Sequence, residues 1–181
     1  EGVVSTRVDD ASFLITPTGV DRRSLAIEDI VLVRDNQREK GKLPSRSFRL
    51  HRAIYDRHPD INCVIMAQSP CASAYAITTT PFDTKTIPES YIMLRDIPLV
   101  PHGMQYTDPD RIAETVSEQA PVALIQNDCI ITVGQHTLQA FDRLEVAEFT
   151  AKSLIDTADI GSLIPIGPDE IRDLEAAFSL A

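Results

Sequence analysis

The sequence predicts an α/β domain of the α+β-like kind, a sheet covered by helices. Three observations point there. Short apolar runs of strand length, such as 61–66, recur between segments with helical periodicity. Two such runs, 122–126 and 130–133, flank Asn127, Asp128 and Cys129, as an antiparallel pair around a turn would. Ala140, Leu144, Ala147, Ala151 and Leu154 follow each other four and three apart, which predicts a long helix with one apolar face. A chain of 181 residues is long enough for one core, so residues 1–181 are read as a single domain.

Taken in order, 13–15 reads as a short strand stopped by Thr16-Pro17-Thr18-Gly19, whose proline and glycine are turn chemistry. Residues 30–33 form a second strand. The polar stretch 34–42 is a loop or hairpin tip. After Pro44 a helix is expected, with Leu50, Ala53 and Ile54 on one face and Phe48, His51 and Tyr55 beside it. It should stop near His58, because Pro59 disfavours the helical conformation before it. Ser69-Pro70 opens a small-residue helix over 71–77, and 78–89 reads as irregular. A strand at 97–100 and a helix from Pro109 to about Gln119 precede the strand pair. Pro168 starts a last short helix.

Composition narrows the partners. A formal net charge of −10 leaves no basic face to neutralise phosphates, so nucleic acid is not expected. Arg22 and Arg23 form one local basic patch. They are either solvated turn residues or a face for a small anion. No apolar run is long enough to cross a bilayer, and no secretory signal peptide is visible. Cys63, Cys71 and Cys129 are an odd set without a Cys-x-x-Cys pair. That argues against disulfides or a zinc ribbon and for a reducing, cytoplasmic compartment.

Three segments carry a resemblance: Phe-Leu-Ile-Thr-Pro-Thr-Gly at 13–19, Leu-Pro-Ser-Arg-Ser at 43–47, and Val-Ile-Met-Ala-Gln-Ser-Pro at 64–70. With the Leu50-His51 and Ile54-Tyr55 pairs, their order and spacing resemble the class II aldolase/adducin family, in its fuculose-1-phosphate aldolase branch. The similarity runs from Gly2 to about Thr157. It implies a mainly antiparallel nine-stranded sheet with helices on both faces. It also implies a homotetramer with sites at subunit boundaries. The helix that precedes the glycine motif in the family is missing from this chain.

The same resemblance assigns site positions, and several are changed. The three zinc-binding histidines of the aldolases fall on Met66, Gln68 and Asp128, and the acid/base glutamate falls on Ser47. Imidazole suits zinc, whereas a thioether, an amide and a carboxylate do not form a coherent set. No cofactor is therefore expected. Asp128, Gln68 and Ser47 offer magnesium or calcium a weak alternative. Ser47 cannot shuttle protons as glutamate does, because an unaided hydroxyl is too weak an acid or base. The phosphate-binding positions map to Val3, Thr18, Gly19, Ser45 and Arg46. The amide donor is lost at Val3, while a helix N-terminus and a guanidinium remain. The bland alternative is that Ser45 caps its helix and Arg46 pairs with a surface carboxylate. Tyr91 is the nearest match to the tyrosine that protonates the leaving group, or else a partly buried aromatic. His51 matches a structural family histidine, and His58, His102 and His136 have no metal-ligand spacing.

The functional expectation is a diverged or non-catalytic family member that binds a small anionic, sugar-phosphate-like ligand or a protein partner, as adducin head domains do. The rival is an active lyase on a phosphorylated or acidic sugar, using Asp128, Arg46 and Tyr91.

Overall fold

The computed structural model describes residues 2–180. Its strands are β1 (Gly2–Asp9), β2 (Ser12–Ile15), β3 (Val31–Arg34), β4 (Gln37–Arg38), β5 (Cys63–Ala67), β6 (Leu99–Val100), β7 (Val122–Ile125) and β8 (Cys129–Gly134). They form one sheet in the order β4-β3-β2-β1-β5-β8-β7-β6. Every neighbouring pair is antiparallel except β6 and β7. The mainly antiparallel sheet is therefore as expected. Among the described residues it has eight strands, against the nine that the resemblance implies.

The helices are α1 (Phe48–Arg57), α2 (Pro70–Ala76), α3 (Pro88–Leu94), α4 (Met104–Thr107), α5 (Pro109–Thr115), α6 (Thr137–Thr157) and α7 (Pro168–Ala177). They cover both faces of the sheet, and this explains why the central strands read as unbroken apolar runs. Along β7, Ala123 and Ile125 join the core on the α1 and α5 side, while Val122 and Leu124 join the core under α2, α3 and α6. In β8, Ile131 and Val133 face the first core and Ile130 the second. Gly134 ends β8 because α6 passes so close there. A Cβ would lie 2.8 Å from the Ala140 nitrogen.

On α1 the buried side chains are Leu50, His51, Ile54 and Tyr55, with Phe48 and Ala53 at the margin. The two neighbouring faces read from the sequence thus merge into one. The end of α1 is held by Arg7 of β1. Its guanidinium donates to the carbonyls of Tyr55, His58 and Ile61 at 2.8–3.0 Å, satisfying acceptors that a helix end leaves free.

Four elements differ from the sequence reading, one of them α4, in a stretch where no helix is predicted. The sequence predicts no strand at β1, because half-buried Val3, Thr6 and Arg7 break a simple alternation. The stretch taken as irregular ends in α3, which starts at Pro88. α5 stops at Thr115 and not near Gln119. Val116 turns extended, and Glu118 is drawn away to pair with Arg143 at 2.6 Å. The tip of 34–42 is a tight hairpin, with Asp35 and Asn36 at φ 47° and 62°.

Candidate functional site

One end of the sheet opens into a cleft of about 700 Å³. Its first wall is made of turns. Pro17 and Pro44 form an antiparallel bridge, the Thr18 N–H donates to the Leu43 carbonyl at 3.0 Å, and the Ser45 N–H donates to the Thr16 carbonyl at 3.1 Å. The two segments are thereby stitched together, and Thr18, Gly19, Ser45, Arg46 and Ser47 all line the cleft. Gly19 sits at φ 77°, in the left-handed region, so its N–H is presented by a backbone that other residues adopt with strain.

The serines sit where α1 begins. Ser47 is the residue before the helix, and its carbonyl accepts the Leu50 and His51 N–H groups, yet its side chain makes no capping bond. The Ser45 hydroxyl instead lies 3.1 Å from that of Ser47 and accepts the Ser47 N–H at 3.4 Å. Arg46 is exposed and, among the described residues, has no carboxylate partner. Its guanidinium stands 5.9 Å from the ring centre of Tyr106 on α4. Arg22 is more than a solvated turn residue. Its Nε donates to the Gly2 carbonyl at 2.8 Å and its Nη1 to the Val20 carbonyl at 3.1 Å, tying the turn to the start of β1. Asp21 accepts the Arg23 N–H at 3.0 Å.

The second wall is made of strand ends. Met66 and Gln68 come from the end of β5, and Asp128 and Cys129 from the β7–β8 turn. The register that sets Ala67 opposite Ile130 brings that turn to the end of β5. Asn127 takes φ 56° there, which asparagine tolerates better than most residues. Met66 is 6% exposed and belongs to the core under α1. Gln68 is exposed. Asp128 is half-buried, and its Oδ2 accepts from Gln105 Nε2 at 2.5 Å. Gln105 lies on α4 with 1% exposure. Cys129 is buried, and burial, with the Asp128 charge beside it, pushes its thiol up to about 12. It therefore stays protonated and is a poor nucleophile.

As a donor set for the zinc that the fold implies, this wall does not fit. The Met66 sulfur is packed in the core, Gln68 offers only an amide, and the Asp128 carboxylate already holds an amide donor. Among the described residues no three His, Cys, Asp or Glu side chains cluster as a metal site.

Tyr91 does not line the cleft of its own chain. It lies on α3 with its hydroxyl donating to Glu175 Oε1 of α7 at 2.6 Å, and Lys85 and Arg95 flank its ring at 5.6 and 5.7 Å. The hydrogen bond to Glu175, burial and the Glu175 charge raise its pKa, opposite to what a ready proton donor needs. His51 is fully buried, with Nδ1 2.6 Å from the Ser5 hydroxyl, and burial lowers its pKa to about 3. Gln105 and Tyr106 went unnoticed in the sequence. Their short helix α4 has no apolar period, and Gly103, at φ 81°, is the one local mark of a turn there.

Comparison with known proteins agrees with this architecture. The family model described as Class II Aldolase and Adducin N-terminal domain matches residues 1–155. L-fuculose phosphate aldolase of Escherichia coli K12 is 29% identical over 178 residues, covering 93% of this chain and 79% of that protein. The 3-oxo-tetronate 4-phosphate decarboxylase of Haemophilus influenzae is 26% identical over 182 residues, covering 96% of this chain and 85% of that protein. The solved structure of YgbL from Escherichia coli superposes with a TM-score of 0.86 at 23% identity, covering 96% of this chain and 86% of that one, a likeness of fold. No helix of the described residues is long and apolar enough to cross a membrane.

Proposed function

The chain belongs to the Class II Aldolase and Adducin N-terminal domain family, and from that premise we propose a diverged, zinc-free member that binds a small phosphorylated, sugar-like anion in its cleft. The observation that carries this reading is the bridge between Pro17 and Pro44, which aligns Thr18, Gly19, Ser45 and Arg46 along one wall. Two hydroxyls, a backbone N–H and a guanidinium make a good set of donors for an oxyanion. Arg22 and Arg23 add charge to the same cleft in an otherwise acidic chain. Relatives named for L-fuculose phosphate and 3-oxo-tetronate 4-phosphate support a phosphate ester as the ligand class.

Charge-assisted hydrogen bonds contribute on the order of 1.5–3 kcal/mol each, and desolvation offsets part of that. A dissociation constant for inorganic phosphate of about 1 mM is therefore expected. Thermal shift with phosphate and with sugar phosphates tests the reading. Arg46→Ala should abolish the stabilisation, and Ser47→Ala should leave most of it. If Arg46→Ala is stabilised as well as the parent, or if no anion stabilises the parent, the cleft does not bind anions. An interaction module for a protein partner then becomes the better reading.

A second reading, an active lyase on a phosphorylated or acidic sugar, is favoured by the Asp128 carboxylate in the cleft. Asp128 would take the proton and Arg46 would hold the phosphate; Tyr91 lies outside the cleft of its own chain and would act only from a neighbouring subunit. Turnover of a sugar phosphate that disappears in Asp128→Asn would support it, and absence of turnover would count against it.

We extend the proposal to assembly and place. A homotetramer is expected, as the family resemblance implies, and static light scattering at micromolar concentration checks it; a monomer there overturns it. Three free cysteines, two of them buried, suit a reducing cytoplasm.

A further inference from the structure

The cleft is electrically two-ended. Arg46 and the turn donors line one wall, and the strand-end wall carries a carboxylate where an aldolase would carry a dication. Two aspartates line the cleft, and only one is well placed to meet a ligand. Asp21 is exposed and bonds its own turn through the Arg23 N–H. Asp128 is half-buried and held through Oδ2 by Gln105, and among the described residues its Oδ1 has no hydrogen-bond partner.

Gln105 fixes the sense of that arrangement. With 1% exposure it is buried, and its amide nitrogen is the atom against the carboxylate. The reverse orientation would set two acceptors against each other. Its own Oε1 is buried without a partner, so the side chain forgoes one hydrogen bond while making the one that holds Asp128. Gln105 is thus a positioning residue for Asp128.

A zinc ion in this place would attract a carbonyl or enediolate oxygen, because it is positive. A carboxylate does the opposite. It repels an acceptor oxygen and attracts a hydrogen-bond donor, most strongly a cation. We propose that the ligand is a zwitterion, a phosphate ester whose far end carries a primary ammonium, with the phosphate on the Thr18–Arg46 wall and the ammonium on Asp128. This rests on the anion-binding reading given above and adds the identity of the other end. The class is that of amino-sugar or amino-alcohol phosphates.

The spacing is tested with ω-aminoalkyl phosphates of increasing length, each paired with the ω-hydroxyalkyl phosphate of the same length. Titration calorimetry is done on the full chain in the presence of a chelator. At the best length the amine should bind on the order of tenfold more tightly than its hydroxyl partner, the scale of one charge-assisted hydrogen bond. Asp128→Asn keeps the size of the side chain and an acceptor for Gln105, and should reduce the preference to within about twofold while hydroxyl members bind as before. Equal binding of amine and hydroxyl at every length in the parent, a comparison that needs no variant, overturns the proposal while leaving the anion wall standing. So does a preference that survives Asp128→Asn. Tighter binding of the hydroxyl series on adding magnesium or calcium would show Asp128 to be a metal ligand, and also overturns it. If neither series nor inorganic phosphate binds, the anion wall itself is wrong and the zwitterion falls with it.

Discussion

The two walls of the cleft are built differently, and the difference explains what divergence can change. The turn wall is held by backbone hydrogen bonds, from Thr18 to Leu43 and from Ser45 to Thr16. The groups proposed to meet a ligand there include the N–H of a positive-φ glycine, so they are nearly inseparable from the path of the chain. The strand-end wall is made by Met66, Ala67, Gln68, Asp128 and Cys129, at the tips of β5 and β8. Gln68 and Asp128 lie beyond the paired residues and can be exchanged without moving the sheet, whereas Met66 is itself paired with Ile131 and packed in the core. On the proposed reading, a phosphate site would follow from the path of the chain, while metal chemistry would depend on side chains alone.

The largest effect that can test this contrast is the return of a metal. Met66→His, Gln68→His and Asp128→His together should create a zinc site, at the cost of core packing at 66 and of the Gln105 bond, with a dissociation constant on the order of 1 μM or tighter, about 8 kcal/mol of binding. The parent should hold well under one zinc per chain after dialysis. Elemental analysis of both proteins decides it. Stoichiometric zinc in the parent would show that the strand-end wall is a metal site as it stands. A triple variant that folds and binds no zinc would show that the strand tips have moved with their side chains.

A second experiment acts on α1, the helix that follows the turn wall. His51 lies on α1, one turn after Ser47, and burial lowers its pKa from an ordinary 6.5 to about 3. Between those values the unfolded chain binds a proton that the folded one excludes, so stability falls as pH drops from 6.5 toward 3. The full loss is on the order of 5 kcal/mol. Urea midpoints should fall from pH 7 to pH 4 more steeply in the parent than in His51→Gln, which keeps an acceptor near Ser5 and has no proton to gain. Parallel slopes would remove His51 from the acid response. Cys129 on the other wall should stay unreactive to iodoacetamide at pH 8, since its thiol lies near 12.

Legibility in the sequence followed the same divide. The turn wall was readable because proline and glycine punctuate it, and the 16–19 and 43–47 segments meet as their spacing suggested. The positions of Met66, Gln68 and Asp128 were readable through family spacing, and all three line the cleft. The partner that orients Asp128 was not. Gln105 lies on a one-turn helix of four residues, too short to show a period, and a buried glutamine has no sequence mark. β1 was missed for a related reason, since Arg7 and Thr6 look solvated until one sees them bonding the carbonyls of Tyr55 and Asn62. Alignment alone gives Tyr91 its site role, whereas within its own chain its hydroxyl bonds Glu175 of α7 and it lies outside the cleft.

The smallest effect concerns that tyrosine and bounds the cleft from outside. Tyr91 is 6% exposed, and its hydroxyl links α3 to α7 through Glu175. Helix α7 otherwise buries one side chain, Ile171, so this bond and the one from Arg95 to the Leu180 carbonyl carry much of its attachment. Removing the hydroxyl leaves the ring in place between Lys85 and Arg95 and leaves a carboxylate short of one donor, near enough to solvent to recover part of the loss. Tyr91→Phe should therefore lower stability by about 1 kcal/mol. Its effect on phosphate binding should be nil, because no atom of Tyr91 lines the cleft of its own chain. Hydrogen exchange should localise the change to α7, with amides near 168–177 exchanging faster and those of α1 unaltered. A Tyr91→Phe protein of parental stability that binds anions more weakly would mean that the tyrosine reaches a cleft after all, that of a neighbouring subunit. The turn wall would then be only part of the ligand site.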